Sequence, residues 1–509
     1  MTVKGYARYL LVMAGLGGLI YGIDVGVIAA ALPYIRNTSD YSAVQLGFIV
    51  GAVLWGSVIS SLFAGSLSEW LGRKKIIIAS AFCFFISIPV ICVSGLFEGG
   101  NFLLLTIGRT LQGASAGLVG VVVPMYLAEC LDSDSRGKGT GMFQLLLTIG
   151  LAFAAVIGLV VTGLVGDSDK IVKEFAEKDG VDVAAVTFAQ IKSWVTAEQL
   201  KGWATAWQTI FLCSAIPGLI LFLGAFWLKE SPRWLYKKGR KEDALASLAA
   251  NNGEAKAKEI LDEMIAADKA AEDEKAAIAK AAQGDSLFQR KYIYPFLLAV
   301  TILACNQTTG INSVLNYTVD IFKATGMEGV FANFSDLAIK LVNVFMTIVA
   351  CAIVDRKGRK FLLKLGTSGI ILGLCGVATT FLLITKGVVV ASMATGVVAT
   401  VFFFMFIAFY AVGPGVCVWL ALSELMPTRI RATGMSIAMI INQGVSATIA
   451  TIFPAWKDAW GFPAVFYCLA GFTVIYFITA AFFLPETKGR TLEEIEQYFK
   501  SGKMPEKKQ

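Results

Sequence analysis

Histidine is absent from this sequence, and charged residues are scarce. Asp, Glu, Lys and Arg make up only 16% of the 509 residues, whereas 56% are hydrophobic and the mean hydropathy is +0.68. A soluble globular domain has about 25% charged residues, so this composition excludes a soluble protein and indicates that most of the chain lies in lipid. Because the usual group that titrates near neutral pH is missing, any proton-linked function has to use a carboxylate.

Cysteine pairs and basic stretches are missing as well. The nine cysteines show no C-x-x-C spacing and mostly lie inside or at the ends of apolar runs, which argues against a disulfide framework or a metal site. The formal charge of +7 is spread over loops and the C-terminal tail, so no nucleic-acid partner is expected. Without a nucleophile and base pairing, a phosphate loop or a ligand cluster, we expect neither an enzyme nor a cofactor.

Long apolar runs dominate the chain instead, and about twelve of them reach the roughly 20 residues that a membrane-spanning helix needs. They cover residues 9–31, 44–66, 75–96, 102–128, 141–165, 206–228, 294–319, 335–354, 361–384, 391–423, 433–456 and 461–484. The first run is too long for a signal peptide, so we expect it to remain as a span. The sequence therefore predicts an all-α integral membrane protein with twelve transmembrane helices.

Lys and Arg in the short loops predict the orientation, because positively charged loops stay in the cytoplasm. With twelve spans, the basic segments at 72–75, 135–138, 355–360 and 429–431 fall on one side together with both termini. We expect this side to be cytoplasmic, in a bacterial inner membrane. Residues 166–202 then lie outside and are expected to form a short surface helix.

Three motifs of the first half return in the same order in the second half. EWLGRKK (69–75) is answered by VDRKGRK (354–360), ECLDSDSRG (129–137) by ELMPTRIRATG (424–434), and KESPRW (229–234) by PETKGR (485–490). The chain is therefore predicted to be a duplicated six-helix unit. The segments are an N-terminal half at 1–237, a cytoplasmic helical linker at 238–290, a C-terminal half at 291–490 and a cytoplasmic tail at 491–509.

These motifs resemble those of the sugar porter family of the major facilitator superfamily over nearly the whole chain. The matching segments, in the order of the family, are GRKK, PMYLAECLDSDSRG, KESPRWL, NQTTGIN, DRKGRK, GPGVCVWLALSELMPTRIRATG and PETKGR. The resemblance implies a major facilitator fold of two six-helix halves and transport of monosaccharides or polyols by alternating access.

One acid and one base lie deep inside apolar runs. Asp24 is about seven residues from the outer end of the first span and Arg109 about seven residues into the fourth, so both lie roughly 10 Å below the outer surface. They form a static ion pair or a proton site in which protonation of Asp24 frees Arg109; if the span is misdrawn, Asp24 lies in water. In the family, proton-coupled symporters carry an acid at the position of Asp24, which favours proton coupling.

The seventh span contains NQTTGINSVLNY at 306–317, the most polar patch inside any apolar run. At 100° per residue, the residues that share one third of the helix surface are Asn306, Thr309, Ser313, Asn316 and Tyr317, with Gln307 and Asn312 on the flanks. Amides and hydroxyls bind a hydroxyl-rich substrate without a charge, although bonds between helices are an alternative use. The resemblance implies that Gln307 and Asn312 contact the sugar and that Tyr317 gates the site.

Further candidates come from the first, tenth and eleventh spans. Gly413, Pro414 and Gly415 predict a break in the tenth span, because proline removes a backbone hydrogen bond and glycine tolerates the kink. Trp419 can cover the apolar face of a sugar ring, as the family uses it, or serve packing alone. The resemblance also assigns substrate contacts to Asn442 and Tyr21.

Charged residues repeat at the cytoplasmic ends of the spans in both halves. They are Arg73, Glu129, Arg136, Glu230, Arg233, Asp355, Arg359, Glu424 and Arg431. Single surface pairs contribute roughly 0 to 1 kcal/mol, but a network joining the halves would bias closure of the cytoplasmic side. The alternative is that the basic residues only set the topology.

The sequence thus predicts a monomeric secondary transporter in the lipid bilayer that moves a monosaccharide with a proton. The alternatives are a facilitative sugar or polyol uniporter and a non-transporting sugar sensor, and the short tail argues against the sensor. The family's glucose and xylose carriers usually have Gln where Leu151 and Asn306 stand here, so the identity of the sugar stays open.

Overall fold

The computed structural model describes residues 3–130, 133–254, 256–266, 289–327, 329–427, 430–486, 495 and 497–499. Within these ranges the chain forms helices joined by short loops, and no strand is present. Part of the predicted linker and most of the predicted tail fall outside the described residues.

Ten helices, α1 to α10, run from the start of the chain into the predicted linker, where the described residues 256–266 are helical as well. They are α1 (Val3–Thr38), α2 (Ala43–Leu71), α3 (Arg73–Ser94), α4 (Phe102–Cys130), α5 (Ser133–Val165), α6 (Ser168–Asp179), α7 (Phe188–Trp194), α8 (Ala197–Ala225), α9 (Pro232–Lys237) and α10 (Lys241–Asn252). A 3₁₀ turn, Val183–Ala185, lies between α6 and α7.

The second half continues with seven helices in its described part. They are α11 (Arg290–Thr308), α12 (Ile311–Ala324), α13 (Val330–Lys357), α14 (Arg359–Thr385), α15 (Met393–Val412), α16 (Pro414–Leu425) and α17 (Arg431–Ile478). A π-helical turn, Thr479–Phe483, extends α17.

The spans of the second half are interrupted at glycines. Gly413, with φ −100° and ψ −93°, separates α15 from α16, which confirms the predicted break in the tenth span. Gly461 has φ 75° and divides α17 into two spans. Gly310, with φ 80°, separates α11 from α12, so the treatment of 306–317 as one continuous helix is wrong. The rotation of 100° per residue does not carry across the left-handed glycine.

The number of spans agrees with the sequence prediction. Ten segments of the described chain are apolar and long enough to cross a membrane. One of them, Thr433–Phe483, contains two spans joined at Gly461, and the interrupted pair α11 and α12 supplies another. The all-α fold with twelve spans is therefore confirmed.

The segment between the fifth and sixth spans is more helical than predicted. It contains α6 and α7 rather than one surface helix, and the sixth span begins at Ala197 rather than near residue 206. Thr187 and Thr196 each form a capping box with a glutamine three residues later, Gln190 or Gln199. Such caps satisfy the free backbone groups at a helix start, so they define where α7 and α8 begin.

The two halves meet where small residues allow the helix backbones to approach. A Cβ atom added to Gly47 of α2 would lie 2.0 Å from the carbonyl oxygen of Thr451 in α17. Nearby, Trp55 Nε1 donates to Thr451 Oγ1 at 3.2 Å. Without a hydrophobic driving force between helices in lipid, such close packing supplies the attraction.

The helix bundle has two distinct ends. The loop end carries the C-termini of α1, α5 and α12 together with α6 and α7. The motif end carries the repeated charged motifs, including Arg73 at the start of α3 and Arg359 at the start of α14.

Candidate functional site

Asp24 and Arg109 are neighbours in the buried interior of the first half. Asp24 is fully buried, and neither of its carboxylate oxygens has a hydrogen-bond partner in the described part of the chain. Arg109 is equally buried, and its Nη1 lies 3.4 Å from the backbone carbonyl oxygen of Asp24. The base is therefore held beside the acid but hydrogen-bonds to its backbone.

Two further residues hold Arg109 in place, and the sequence prediction missed both. Arg109 Nη1 donates to Oε1 of Gln112 at 2.8 Å. The guanidinium group also lies 5.7 Å from the ring centre of Phe211 in α8, a cation–π contact. Gln112 was recognisable from its position three residues after Arg109, on the same helix face. Phe211 carries no comparable signal.

Amide side chains from α11, α12 and α17 form a connected cluster at the break in the seventh span. Gln307 Nε2 donates to Oδ1 of Asn442 at 3.2 Å, and Asn312 Nδ2 donates to Oε1 of Gln307 at 3.0 Å. Asn442 Nδ2 donates to the carbonyl oxygen of Leu303 at 2.9 Å. Asn312 Nδ2 also lies 2.7 Å from Oγ of Ser446, which the sequence prediction did not include.

Two other predicted residues of this span carry unused polar atoms. Both amide atoms of Asn306 are buried without a partner among the described residues, and the hydroxyl of Tyr410 lies close by. The Oδ1 atom of Asn316 is likewise buried and unbonded within that part of the chain. Such groups are costly to leave unpaired, and they are able to bind a polar ligand.

Tyr317 and Tyr21 are the two tyrosines that the sequence predicted for this site. The hydroxyl of Tyr317 donates to the carbonyl oxygen of Ala450 at 3.0 Å, and its ring stacks on Phe453 with the ring centres 4.9 Å apart. Tyr317 and Phe453 both line a cavity of about 1000 Å³ at the loop end. Tyr21 is half-buried, and its hydroxyl faces Ser57 and Gln443.

Several predicted residues lie outside what the structure describes. The structure describes their backbone, which lies in helices, but not their side chains. They are Arg136, Asp355, Trp419, Glu424 and Arg431. The roles assigned to them from the sequence stay predictions.

At the motif end, the described charges form contacts within one half. Arg73 Nη2 lies 2.8 Å from Glu129 and 2.6 Å from Glu69, and Ser231 donates to Glu129 at 2.5 Å. Arg233 is exposed on α9. The proposed connection between the halves at this end therefore stays a prediction.

The duplication predicted from the motifs is visible in two helix starts. Glu230 Oε1 accepts a hydrogen bond from the backbone N–H of Arg73 at 2.8 Å, and Glu486 Oε1 accepts one from that of Arg359 at 3.2 Å. In both places a carboxylate binds the free, partly positive N-terminus of a helix. The acid of each repeated motif thus has the same local partner.

Charged residues at the loop end do connect the halves, and the sequence prediction missed them. Arg36 Nη2 at the end of α1 lies 3.1 Å from Asp320 of α12 and 3.0 Å from Asp169 of α6. Lys323 Nζ of α12 lies 2.5 Å from Asp167 and 2.9 Å from Asp169. These ion pairs join the two halves at the loop end, so the structure represents a conformation closed there.

Asp169 shows how strongly this charge cluster is coupled. Burial by itself would raise the pKa of Asp169, but the positive charges of Lys323 and Arg36 outweigh burial. Hydrogen bonds from Lys323 and Asn37 act in the same direction, and together they hold the pKa of Asp169 well below its usual range. The carboxylate is therefore ionised at any ordinary pH.

A second ion pair that the sequence prediction missed lies inside α13. Lys340 Nζ is 2.7 Å from Asp336 Oδ2, and both side chains are almost completely buried. Their separation of four residues inside an apolar run was the available signal.

Comparisons with known proteins cover almost the whole chain. The sequence profile of the family described as "sugar (and other) transporter" matches residues 10–499. The glucose transporter GlcP of Staphylococcus epidermidis is 30% identical over 497 residues, which is 96% of this chain and 96% of that protein. The arabinose-proton symporter of Bacillus subtilis is 26% identical over 493 residues, which is 97% of this chain and 95% of the symporter.

A solved structure shares the arrangement of helices. The proton:xylose symporter XylE from E. coli, a major facilitator superfamily protein bound to 6-bromo-6-deoxy-D-glucose, superposes with a TM-score of 0.71. The two sequences are 24% identical, and the alignment covers 97% of this chain and 99% of the other. The predicted major facilitator fold is therefore confirmed.

Proposed function

The chain belongs to the sugar (and other) transporter family, and from this premise we propose that it carries a monosaccharide across the membrane together with a proton. The coupling part of this proposal rests on one observation, the buried carboxylate of Asp24 next to a buried arginine. The carrier part rests on the fold and on the family, whose members are transporters rather than enzymes.

The amide cluster supports an uncharged, hydroxyl-rich substrate. Gln307, Asn312 and Asn442 bond to one another through groups that give and accept hydrogen bonds, as sugar hydroxyls do. A sugar would replace these bonds with its own, so its binding need not leave an amide unpaired. The cluster spans the break between α11 and α12, so a bound sugar would contact both helix segments. The break allows these two segments to move separately.

The environment of Asp24 supports proton coupling. An ionised carboxylate without a hydrogen-bond partner is very unfavourable in a low-dielectric interior, so the observed arrangement suits the neutral acid. Loss of the proton would create a charge that attracts Arg109 away from Gln112 and from the backbone of Asp24. Protonation would thereby be linked to the arrangement of α1 and α4.

The charges at the two ends of the bundle indicate how it is oriented in the membrane. We propose that the loop end faces the outside and the motif end the cytoplasm, as the loop charges predict. The observed closure at the loop end then corresponds to an inward-facing stage of the cycle. The protein would act as a monomer in a bacterial cell membrane.

A facilitative uniporter is the second candidate, because the contact of Arg109 with the backbone of Asp24 is also compatible with a purely structural role. In that case Asp24 and Arg109 fix the packing of α1 on α4, and no proton accompanies the sugar.

Uptake by proteoliposomes distinguishes these candidates. Labelled glucose, xylose, arabinose and a polyol are tested with and without an imposed pH gradient, acidic outside. Symport predicts accumulation driven by the gradient, and Asp24→Asn is expected to abolish accumulation while sugar exchange continues. Accumulation that persists in Asp24→Asn would refute the coupling role, and uptake that ignores the gradient in the unmodified protein would favour the uniporter.

A further inference from the structure

Lys323 occupies a buried position between the halves at the loop end. It lies in the last turn of α12, and its side chain is only 13% exposed. Its Nζ atom contacts Asp167 Oδ1 at 2.5 Å and Asp169 Oδ2 at 2.9 Å, both at the start of α6. The other oxygen of Asp167 accepts a hydrogen bond from the backbone N–H of Gly329 at 2.8 Å, just before α13. One short stretch of the first half therefore holds two elements of the second half.

The segment at 166–196, which we call the lid, is attached to the first half. The hydroxyl of Tyr34 donates to the carbonyl oxygen of Gly166 at 2.6 Å. Asn37 Nδ2 donates to Asp169 Oδ1 at 2.6 Å and to Ser168 Oγ at 3.0 Å. Both Tyr34 and Asn37 lie near the end of α1, so the start of the lid moves with α1.

The helix that contains Lys323, α12, also carries residues of the candidate substrate site. α12 begins after Gly310 and presents Asn312 and Tyr317 in its first two turns. Opening of the loop end has to separate α12 from α1 and the lid, which breaks the contacts of Lys323 with Asp167 and Asp169. We propose that Lys323 is a positioning residue of the transport cycle, which locks α12 to the lid through Asp167 and Asp169 and so stabilises the conformation closed at the loop end. This inference rests on the proposed alternating access and adds the residue that biases it.

Loss of this lock shifts a two-state equilibrium. Removal of the Lys323 charge takes an ammonium partner from Asp167 and Asp169, which keep Arg36, Asn37 and the backbone N–H of Gly329. The loss destabilises the closed conformation, whereas in the open one water replaces the ammonium group. Couplings of this kind are typically worth about 5-fold to 150-fold in an equilibrium constant. Because apparent affinity scales with the populated fraction of the competent state, the two sides of the membrane respond in opposite directions.

The first test measures transport from each side with Lys323→Met. We expect the KM for entry from the loop end to fall, the KM for exit from the motif end to rise, and their ratio to change roughly 10-fold. Lys323→Arg keeps the charge and is expected to restore the ratio of the unmodified protein. A matched control is Lys192→Met, since Lys192 lies on the lid itself but pairs with Glu98 of its own half. That control is expected to leave both constants unchanged.

A second readout needs no sugar. Leu32 is buried and lines the cavity beneath the lid, so Leu32→Cys reports opening of the loop end to a membrane-impermeant thiol reagent added outside. The native cysteines are accounted for by labelling the chain without Leu32→Cys in parallel. We expect Lys323→Met to speed labelling roughly 10-fold and Lys192→Met to leave it unchanged, with thermal unfolding confirming that each variant is folded.

The two readouts separate the possible failures. Unchanged labelling in folded Lys323→Met overturns the lock, whatever the sugar data show. Equal changes of KM at both ends also overturn it, because they indicate general damage to the site. If labelling responds to Lys323→Met but no sugar is carried, the lock stands and the proposed substrate fails.

Discussion

Lys340 and Asp336 form an ion pair that is cut off from solvent inside α13. Lys340 Nζ lies 2.7 Å from Asp336 Oδ2, and the exposed fractions of the two side chains are 0% and 1%. Because both residues belong to one helix, their mutual contact does not join two elements. The other oxygen, Asp336 Oδ1, is buried without a hydrogen-bond partner in the described ranges. Such a pair is tolerated in the interior only while both partners are present.

Removal of one partner from this pair is expected to be more harmful than removal of both. Lys340→Met leaves an uncompensated buried carboxylate and should lower the free energy of unfolding by about 3–5 kcal/mol. The double variant Asp336→Leu and Lys340→Met has no buried charge and should be close to the unmodified protein. Thermal unfolding in detergent compares the stability of the unmodified protein, Lys340→Met and the double variant. A double variant as unstable as Lys340→Met would show that the charges have another structural role.

Gln307 is expected to contribute to sugar affinity through its bonds to two other amides. Gln307→Leu removes a donor and an acceptor that would bind the sugar, so a sugar hydroxyl is left unpaired in the bound state, at a cost of about 1–3 kcal/mol. KM should therefore rise roughly 5-fold to 150-fold, measured as initial uptake rates. The matched control is Gln208→Leu, because Gln208 bonds to the backbone of Cys92, away from the cluster. An equal rise of KM in the control would contradict the assignment.

The helix break at Gly310 is expected to depend on glycine itself. Gly310 has φ +80°, and an added Cβ would lie 2.6 Å from Leu469 Cδ1, so Gly310→Ala should lower stability by about 1–3 kcal/mol. Gly444→Ala is the control, since Gly444 is helical and nothing lies within 4 Å of an added Cβ. That change should be neutral or stabilising by up to about 1 kcal/mol. Similar melting temperatures for both variants would argue against strain at Gly310.

The lock at the loop end is expected to resist external acid. The pKa of Asp169 lies well below its usual value of about 3.9, so the stabilisation is present above that value and is lost only as pH falls through the lowered pKa. Between pH 8 and pH 5 the ratio of Leu32→Cys labelling rates with and without Lys323→Met should therefore stay constant. A ratio that approaches one between pH 7 and pH 5 would contradict the low pKa of Asp169.

Local sequence patterns were sufficient for the spans and for some helix ends. Gly413 and Pro414 mark the break in the tenth span because their backbone preferences act on the residue itself. The break at Gly310 was missed, since a single glycine among polar residues does not reveal its positive φ. The amide cluster was predicted in part: Gln307, Asn312 and Asn442 meet, whereas Ser446 had no motif to mark it.

Ion pairs were harder to predict than spans. Arg109 was paired with Asp24 by depth, and the structure does bring them together, but the guanidinium binds the backbone and Gln112. The predicted network between the halves concerned the motif end, whereas Arg36 with Asp320 and Lys323 with Asp167 pair across the halves at the loop end. Depth and charge sign constrain where a side chain lies along the membrane normal, but they do not specify its rotation around the helix axis.

The sequence by itself determined that this chain is a membrane transporter of two repeated six-helix halves, with an acid and a base buried at one depth. Hydropathy, loop charge and repeated motifs are recognisable in short stretches of sequence, so their interpretation requires no knowledge of helix packing. Only the tertiary structure decided that Lys323 meets Asp167, 156 residues away, and that the carboxylate of Asp24 stays unpaired among the described residues. Those contacts depend on how helices from opposite halves approach and rotate, which no local pattern encodes.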